Sequence, residues 1–325
     1  MPGRTKPQFH IGIITPAPPR SRAGNRVTAL RWARVLRQLG HRVSVAESYA
    51  GERYDLLIAL HARKSHAAIC AYHDLHPGKP LLVALTGTDL YADLKTSTEA
   101  RQSLALATHL ILLQPKASAA LPKAHRHKAR VIYQSVPPIY NFKSPTPHPS
   151  FRICVICHLR TVKDPFRTAE AVRLLPPASR AQVMHLGGAL DEQMAERARQ
   201  EMLDNPRYRW LGEQTRWRTR RWLAQSDLCV LSSRLEGGAN VISEACVAGT
   251  PVLASRIAGN VGLLGADYPG YFKVGATREL ARLLWRAETD ATFLQALREH
   301  VNRLAGTFAP EREREAWRAV LAELG

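Results

Sequence analysis

Acidic residues are scarce in this sequence: 27 Asp and Glu face 46 Lys and Arg, a formal net charge of +19. An excess of that size points to anionic partners, namely phosphate groups, nucleic acid or an acidic membrane surface. Cysteine is scarce too. Cys70, Cys154, Cys157, Cys229 and Cys246 are odd in number and sit mostly inside apolar runs. That argues against a disulfide framework and fits reduced core residues. Long apolar runs are missing. The longest nearly apolar stretch, 104–113, contains Thr108 and His109 and is about half the roughly 20 residues of a membrane span. The basic N-terminal stretch is interrupted by Pro16, Pro18 and Pro19 before an apolar segment of signal-peptide length forms, so a cytoplasmic protein is expected.

What remains is a chain of 325 residues, 45% hydrophobic, with its 20 Gly and 21 Pro spread along it. Disorder and low complexity are excluded on composition, and the length favours two domains of roughly 150 residues each. Residues 9–14, 42–47, 56–61, 81–87 and 109–114 predict strands, the last three apolar throughout as in parallel strands covered on both faces. Residues 25–39 predict a helix with Val27, Leu30, Ala33, Leu36 and Leu39 as its apolar stripe and Gly40 as its C-terminal cap. Five prolines in the fourteen residues 137–150 suit a stiff connector. Strands then restart at 151–159, 181–188, 208–212, 227–233 and 250–255, followed by helices over 279–304 and 312–324. The expected fold is α/β: two Rossmann-like doubly wound domains facing a central cleft. The expected divisions are 1–140, a linker over 141–150, 151–305, and a C-terminal helix over 306–325 that returns to the first domain.

The densest constellation is 235–255, LEGGANVISEACVAGTPVLAS. Ser232 and Ser233 close a strand, Gly237 and Gly238 form a loop, and a helix starts near Asn240. Bare backbone N–H groups at such a helix start, facing the carboxyl end of a sheet, hold phosphate. Glu236 lies in the loop and Glu244 one turn into the helix, with seven residues between them. Two carboxylates on one side of a cleft accept hydrogen bonds from sugar hydroxyls. Taken alone, a tight turn before a solvated helix has the same pattern. Gly24, Asn25 and Arg26 stand at a second helix start. LIALHARKS (57–65) puts His61 and Arg63 at the carboxyl end of a strand, where open α/β sheets bind ligands. No G-x-G-x-x-G follows the first strand and no acid other than Glu47 stands where a ribose partner would, which disfavours a nicotinamide site.

On the two glutamates and the AGTPV (248–252) that follows them, the sequence resembles the retaining family 4 glycosyltransferases of the GT-B fold, over nearly the whole chain. The resemblance implies that Glu236 contacts the donor sugar and Glu244 the ribose of the nucleotide. It also implies that the backbone at Gly238, Ala239 and Asn240 holds the sugar or diphosphate. In CHLRTVKDP (157–165), Arg160 and Lys163 occupy the places of a family Arg and Lys that neutralise the diphosphate leaving group. Fixed cations stabilise that developing charge, and no metal or other cofactor is expected. The turn Gly212-Glu213-Gln214 resembles the place where family members hold the base.

LTGTDLY (85–91) is similar to the family's H-G-x-D-L-Y stretch and keeps Asp89, but Thr86 replaces the histidine that faces the donor sugar. That departure argues against an ordinary carbohydrate acceptor. With LHARKS, residues 14–43 and GLLGADYPGYFKVG (262–275), it is similar to a narrower group, the selenosugar synthases. This resemblance implies transfer of a sugar, N-acetylglucosamine first among candidates, from a UDP-sugar to selenophosphate with formation of a carbon–selenium bond. The first domain, with Gly24 to Arg26, His61, Arg63, Thr86 and Asp89, would then face the acceptor.

Three other readings have a basis in the residues. CVICH (154–158) matches a haem-attachment pattern, but its cysteines lie within an apolar strand. His61, His66, His73 and His76 lack a recognisable zinc spacing. RYRWLGEQTRWRTRRW (207–222) interleaves arginine with tryptophan as a nucleic-acid surface does. It spans a strand, a turn and a helix, however, so its side chains point several ways. A lipid or saccharide acceptor stays open as the alternative within the same fold, because KAHRHKAR (123–130) and RWRTRR (216–221) are basic enough to meet anionic lipid.

Overall fold

The computed structural model describes residues 8–21, 23–138 and 148–325. The chain forms two compact units, Met1–Gln134 with Pro310–Gly325, and Ser135–Ala309. The division thus falls at 134/135. Most of the expected 141–150 linker lies outside the described residues.

The first unit contains β1 (His10–Ile14), α1 (Gly24–Gln38), β2 (Arg42–Ala46), β3 (Leu56–Leu60), α2 (His66–Leu75), β4 (Leu81–Leu85), α3 (Leu94–Thr96), α4 (Thr98–Leu106), β5 (His109–Leu112) and β6 (Ala129–Val131). Its six strands are parallel, in the order β2-β1-β3-β4-β5-β6. β3 reads LLIAL and β4 LLVAL, and every residue of both is buried. Such runs have no wet face, so helices must cover both sides of the sheet. The three-residue β6, ARV, carries too little apolar pattern to be read as a strand from sequence.

The second unit contains β7 (Phe151–Ile156), α5 (Arg167–Val172), β8 (Ala181–Leu186), α6 (Glu192–Asp204), β9 (Tyr208–Trp210), α7 (Arg216–Gln225) and β10 (Leu228–Leu231). It continues with α8 (Asn240–Ala248), β11 (Val252–Ser255), α9 (Ala258–Leu264), β12 (Tyr271–Phe272), α10 (Thr277–Thr289) and α11 (Ala291–Leu304). Its six parallel strands run β12-β11-β10-β7-β8-β9. In each sheet the chain reverses its direction of strand addition once, between β1 and β3 in the first unit and between β7 and β10 in the second. Connections leave such a point in opposite directions and open a crevice at the carboxyl ends of the strands.

The chain's last helix, α12 (Pro310–Ala322), belongs to the first unit. Trp317, fully buried, packs edge-on against Trp32 of α1 with ring centroids 5.1 Å apart. Glu313, also buried, accepts from Trp32 Nε1 at 3.0 Å and pairs with Arg31 at 3.3 Å. At the far end Glu323 accepts from Arg130 Nε at 2.9 Å and lies 3.0 Å from His109 Nε2.

Two expectations about helices need correction. Leu30 is 47% exposed, while Thr28, Ala29, Trp32, Ala33 and Leu36 are buried. A strict spacing of three drifts by about 60° per step on a 3.6-residue helix, so the expected stripe walks off the core. Gly40, at φ +93, does follow the helix end in the left-handed conformation. The expected single helix over 279–304 is two, because Asp290 leaves helical geometry and its side chain caps the Phe293 N–H at 2.9 Å.

Candidate functional site

The reversal point of the second unit carries the polar cluster. After β7 the chain makes a short 3-10 turn at Thr161–Lys163 and then places Asp164 in the left-handed region, φ +47. This aims Lys163 at the segment after β10. Its Nζ donates to Glu236 Oε1 at 2.5 Å, and Ser233 Oγ donates to the same oxygen at 2.6 Å. The two segments are also tied through backbone: Arg234 N donates to Val162 O at 2.9 Å and Ser232 Oγ to Asp164 O at 2.8 Å. Asp164 in turn accepts from Arg167 Nε at 2.9 Å.

Glu236 is held from behind by α9. A Cβ on Gly259 would stand 2.1 Å from the Glu236 carbonyl oxygen, so no larger residue fits there without moving the loop. Ser255 Oγ donates to Ser233 O at 2.5 Å, and Asn260 Nδ2 donates to Ser255 O at 2.9 Å. The carboxylate is therefore presented by a rigid frame of β10, β11 and α9.

Gly237 and Gly238 lead into α8, whose N-cap residue Ala239 has no side-chain oxygen to cap it. The first-turn amides of an uncapped helix are ready to meet an anion, and the first turn carries no acidic side chain. Glu244 follows in the second turn, largely buried, with Arg216 of α7 at 3.9 Å. Arg160 is exposed beside Lys163 in sequence. Gly212, at φ +66, turns the chain after β9 into exposed Glu213.

The group around β8 is buried and uncharged. Burial pushes His185 down to about 4 and the Cys157 thiol up to about 12. His185 engages the Tyr208 hydroxyl at 2.8 Å and the Cys157 carbonyl at 3.0 Å. These are core contacts and place no reactive thiolate at the surface. Cys154 is buried within β7, and Cys157 and His158 follow the strand's end.

In the first unit Asp89 is fully buried, and burial raises its pKa while His61 pulls it down. Its carboxylate accepts from the backbone N–H of Ala62 at 3.1 Å, Thr86 at 2.9 Å, Gly87 at 2.8 Å and Leu90 at 3.1 Å. Asp89 thus ties the segments after β3 and β4 together instead of offering its carboxylate to a ligand, which corrects the expectation that it faces the acceptor. His61 sits at φ +77, buried, with Nε2 at 3.1 Å from Thr88 Oγ1. Desolvation lowers its pKa. A β-carbon-bearing residue in that conformation is strained, and such strain concentrates at functional sites. Arg63 Nε forms an ion pair with Asp93 Oδ2 at 2.9 Å. Gly24 is exposed, and Asn25, Arg26 and Thr86 are half-buried.

Other clusters do not converge. His66 contacts Ser103, His76 contacts Tyr49 and His73 contacts Asp74. No group of three or more metal-ligating side chains occurs among the described residues. In the arginine- and tryptophan-rich stretch, Trp210 donates its indole N–H to Gly187 O at 2.7 Å while Trp217 is 52% exposed, so the aromatics form no common face. No helix among the described residues is long and apolar enough to cross a membrane.

The sequence singled out His158 only as the last residue of the CVICH pattern; its Nδ1 is buried without a hydrogen-bond partner.

No curated protein sequence matches the chain. Among solved structures, that of Anabaena HepE in complex with UDP and glucose is similar with a TM-score of 0.77 at 17% identity, covering 97% of this chain and 100% of that one. Sucrose-phosphate synthase from Thermosynechococcus elongatus is similar with a TM-score of 0.78 at 16% identity, covering 98% and 99%. A glycosyltransferase from Rickettsia africae is similar with a TM-score of 0.70 at 13% identity, covering 98% of each chain. These likenesses establish the GT-B fold. The family model of the glycosyl transferases group 1 matches residues 138–303, more than half of the sequence and nearly all of the second unit. The chain belongs to the group 1 glycosyl transferases.

Proposed function

We propose that this chain transfers N-acetylglucosamine from its UDP-sugar to selenophosphate, forming a selenosugar with a carbon–selenium bond. The observation that carries the donor half is the Lys163–Glu236 contact at 2.5 Å, set beside the uncapped start of α8. A cation, a carboxylate and a helix start that no side chain caps are the three features a nucleotide sugar needs at its reacting end. Solved structures of similar fold hold UDP and UDP-glucose, which favours uridine nucleotides as donors.

In this reading the second unit binds the donor. Arg160 and Lys163 take up the charge of the departing diphosphate, a preorganised electrostatic contribution of the kind typically worth 10²–10³ in rate. Glu236 holds the sugar hydroxyls, Glu244 the ribose, and the backbone at Gly238, Ala239 and Asn240 the sugar or diphosphate. Glu236 keeps Lys163 in place until the diphosphate competes for its ammonium. The C1–O bond breaks with its electron pair leaving on the diphosphate, and a selenium lone pair of the selenophosphate anion forms the new C1–Se bond. An anionic selenium nucleophile carries no proton to remove, so no general base is required. Loss of the phosphoryl group from the selenium then needs attack by water on phosphorus.

The first unit meets the acceptor's charge with the Gly24–Arg26 turn, His61 and Arg63, and Thr86 stands where a sugar-facing histidine is absent. The test is UDP release from UDP-N-acetylglucosamine with and without selenophosphate. Release that depends on selenophosphate supports the proposal. Release that instead depends on an added saccharide or lipid keeps the donor half and replaces the acceptor.

A further inference from the structure

At the carboxyl edge of the first sheet the segments after β3 and β4 are locked together, and one side-chain pair there has a fixed direction. His61 follows β3 at φ +77, and its backbone N–H donates to Ala84 O at 2.8 Å. The buried Asp89 carboxylate takes the N–H groups of Ala62, Thr86, Gly87 and Leu90. The backbones on either side of His61 and Thr88 therefore share one rigid frame. Within it, His61 Nε2 lies 3.1 Å from Thr88 Oγ1.

The other ring nitrogen decides which of these two atoms donates. Lys64 N–H donates to His61 Nδ1 at 3.3 Å, so Nδ1 is an acceptor and the proton of the neutral ring sits on Nε2. Burial lowers the His61 pKa against the pull of Asp89, which favours that neutral ring. Asp93 Oδ2, 3.8 Å from Nε2, is beyond hydrogen-bond range and is paired with Arg63. His61 Nε2 therefore donates and the Thr88 oxygen accepts. A hydroxyl has a single proton, and with its oxygen engaged by His61 that proton is directed at a third group; among the described residues Thr88 Oγ1 has no hydrogen-bond partner but His61. His61 is 2% exposed while Thr88 is half-buried, so of the two it is Thr88 that a molecule at the sheet edge reaches.

Resting on the selenophosphate reading above, we propose that the Thr88 hydroxyl donates to a phosphoryl oxygen of the acceptor and that His61 is the positioning residue that fixes it as a donor. A phosphoryl oxygen only accepts, and its charge strengthens the bond. His61 acts on the acceptor through Thr88 and makes no contact of its own. The strained turn at His61 serves this arrangement, since it carries the ring from the end of β3 to the segment after β4.

The experiment is steady-state UDP release by the full chain at saturating UDP-N-acetylglucosamine with selenophosphate varied, for the wild type, Thr88→Val, Thr88→Ser, His61→Asn and the double variant His61→Asn with Thr88→Val. Valine keeps the shape of threonine and removes the hydroxyl. Thr88→Val is expected to raise KM for selenophosphate by about tenfold or more, with KM for the UDP-sugar unchanged. Thr88→Ser restores the wild-type value. His61→Asn, a residue that tolerates the left-handed turn, is expected to raise the same KM, and the double variant is expected to be no worse than Thr88→Val alone, because the two residues act through one bond. A wild-type KM for selenophosphate in Thr88→Val overturns the Thr88 contact, as does a failure of Thr88→Ser to restore it. Losses that multiply in the double variant overturn the role given to His61. UDP release from the wild type that does not depend on selenophosphate overturns the acceptor reading itself, and it shows before any variant is made.

Discussion

Lys163 Nζ and Glu236 Oε1, 2.5 Å apart, join the segments that follow β7 and β10, the two strands between which the second sheet reverses. The pair is flanked by Ser233 on the carboxylate side and by Asp164 on the lysine side. It is half-buried, with side-chain exposures of 26% for Lys163 and 11% for Glu236. Its attraction is therefore stronger than that of a surface pair but not that of a dry interior.

Lys163→Ala is predicted to lower kcat/KM for sugar transfer by about 10²–10³ while the melting temperature moves little. Steady-state kinetics beside a thermal melt checks this. A variant that unfolds, or one that turns over at the wild-type rate, removes Lys163 from the reacting centre.

Gly259→Ala places a methyl group where the Glu236 carbonyl already stands, 2.1 Å away. The predicted outcome is loss of most activity in a protein whose circular dichroism is unchanged, because the clash displaces one loop and not the sheet. Full activity in this variant contradicts the rigid frame.

Glu244→Ala is predicted to raise KM for the UDP-sugar by about tenfold with a smaller change in kcat, as expected for a ribose contact made equally in ground and transition states. A fall in kcat with KM unchanged would assign Glu244 to the reacting sugar instead.

The α12 anchor is a matter of stability. Trp317 is fully buried against Trp32, and Trp317→Ala is expected to cost about 3–5 kcal/mol. Denaturant unfolding measures it. A loss below about 1 kcal/mol would mean that α12 contributes little to the first unit.

Glu323, at the end of the chain's last turn, has its carboxyl held down at about 2 by hydrogen bonds from Arg130 and His109. A depressed carboxylate stabilises the fold above its ordinary value of 4.5, and that contribution is lost as pH falls from there towards 2. Glu323 is 39% exposed, so salt screens the effect. Melting temperatures of wild type and Glu323→Gln are predicted to differ most above pH 5 and to converge towards pH 2, with a smaller gap in high salt. A gap that widens on acidification contradicts this.

The sheets were legible because parallel strands covered on both faces leave an unbroken apolar run, as in Leu56–Leu60 and Leu81–Leu85. β6 and β12 were not, since three and two residues leave no period to read. The break at Asp290 was hidden because one capping side chain ends one helix and starts the next within an apolar pattern that continues through it. In the site, Glu236 and Glu244 stood out by spacing and Lys163 through the family resemblance. Asp89 stood out through the same resemblance, but a motif cannot tell a carboxylate aimed at a ligand from one tied up by four backbone amides. The unpartnered nitrogen of His158 becomes visible only when its surroundings are known.

The measurement that tests the account most directly is mass spectrometry of the products after incubation of the full chain with UDP-N-acetylglucosamine and freshly prepared selenophosphate. The account predicts UDP together with a sugar that carries selenium, both absent when Glu236→Ala replaces the wild type. Equal yields from Glu236→Ala, or no selenium-bearing sugar while UDP is released to another acceptor, would contradict it.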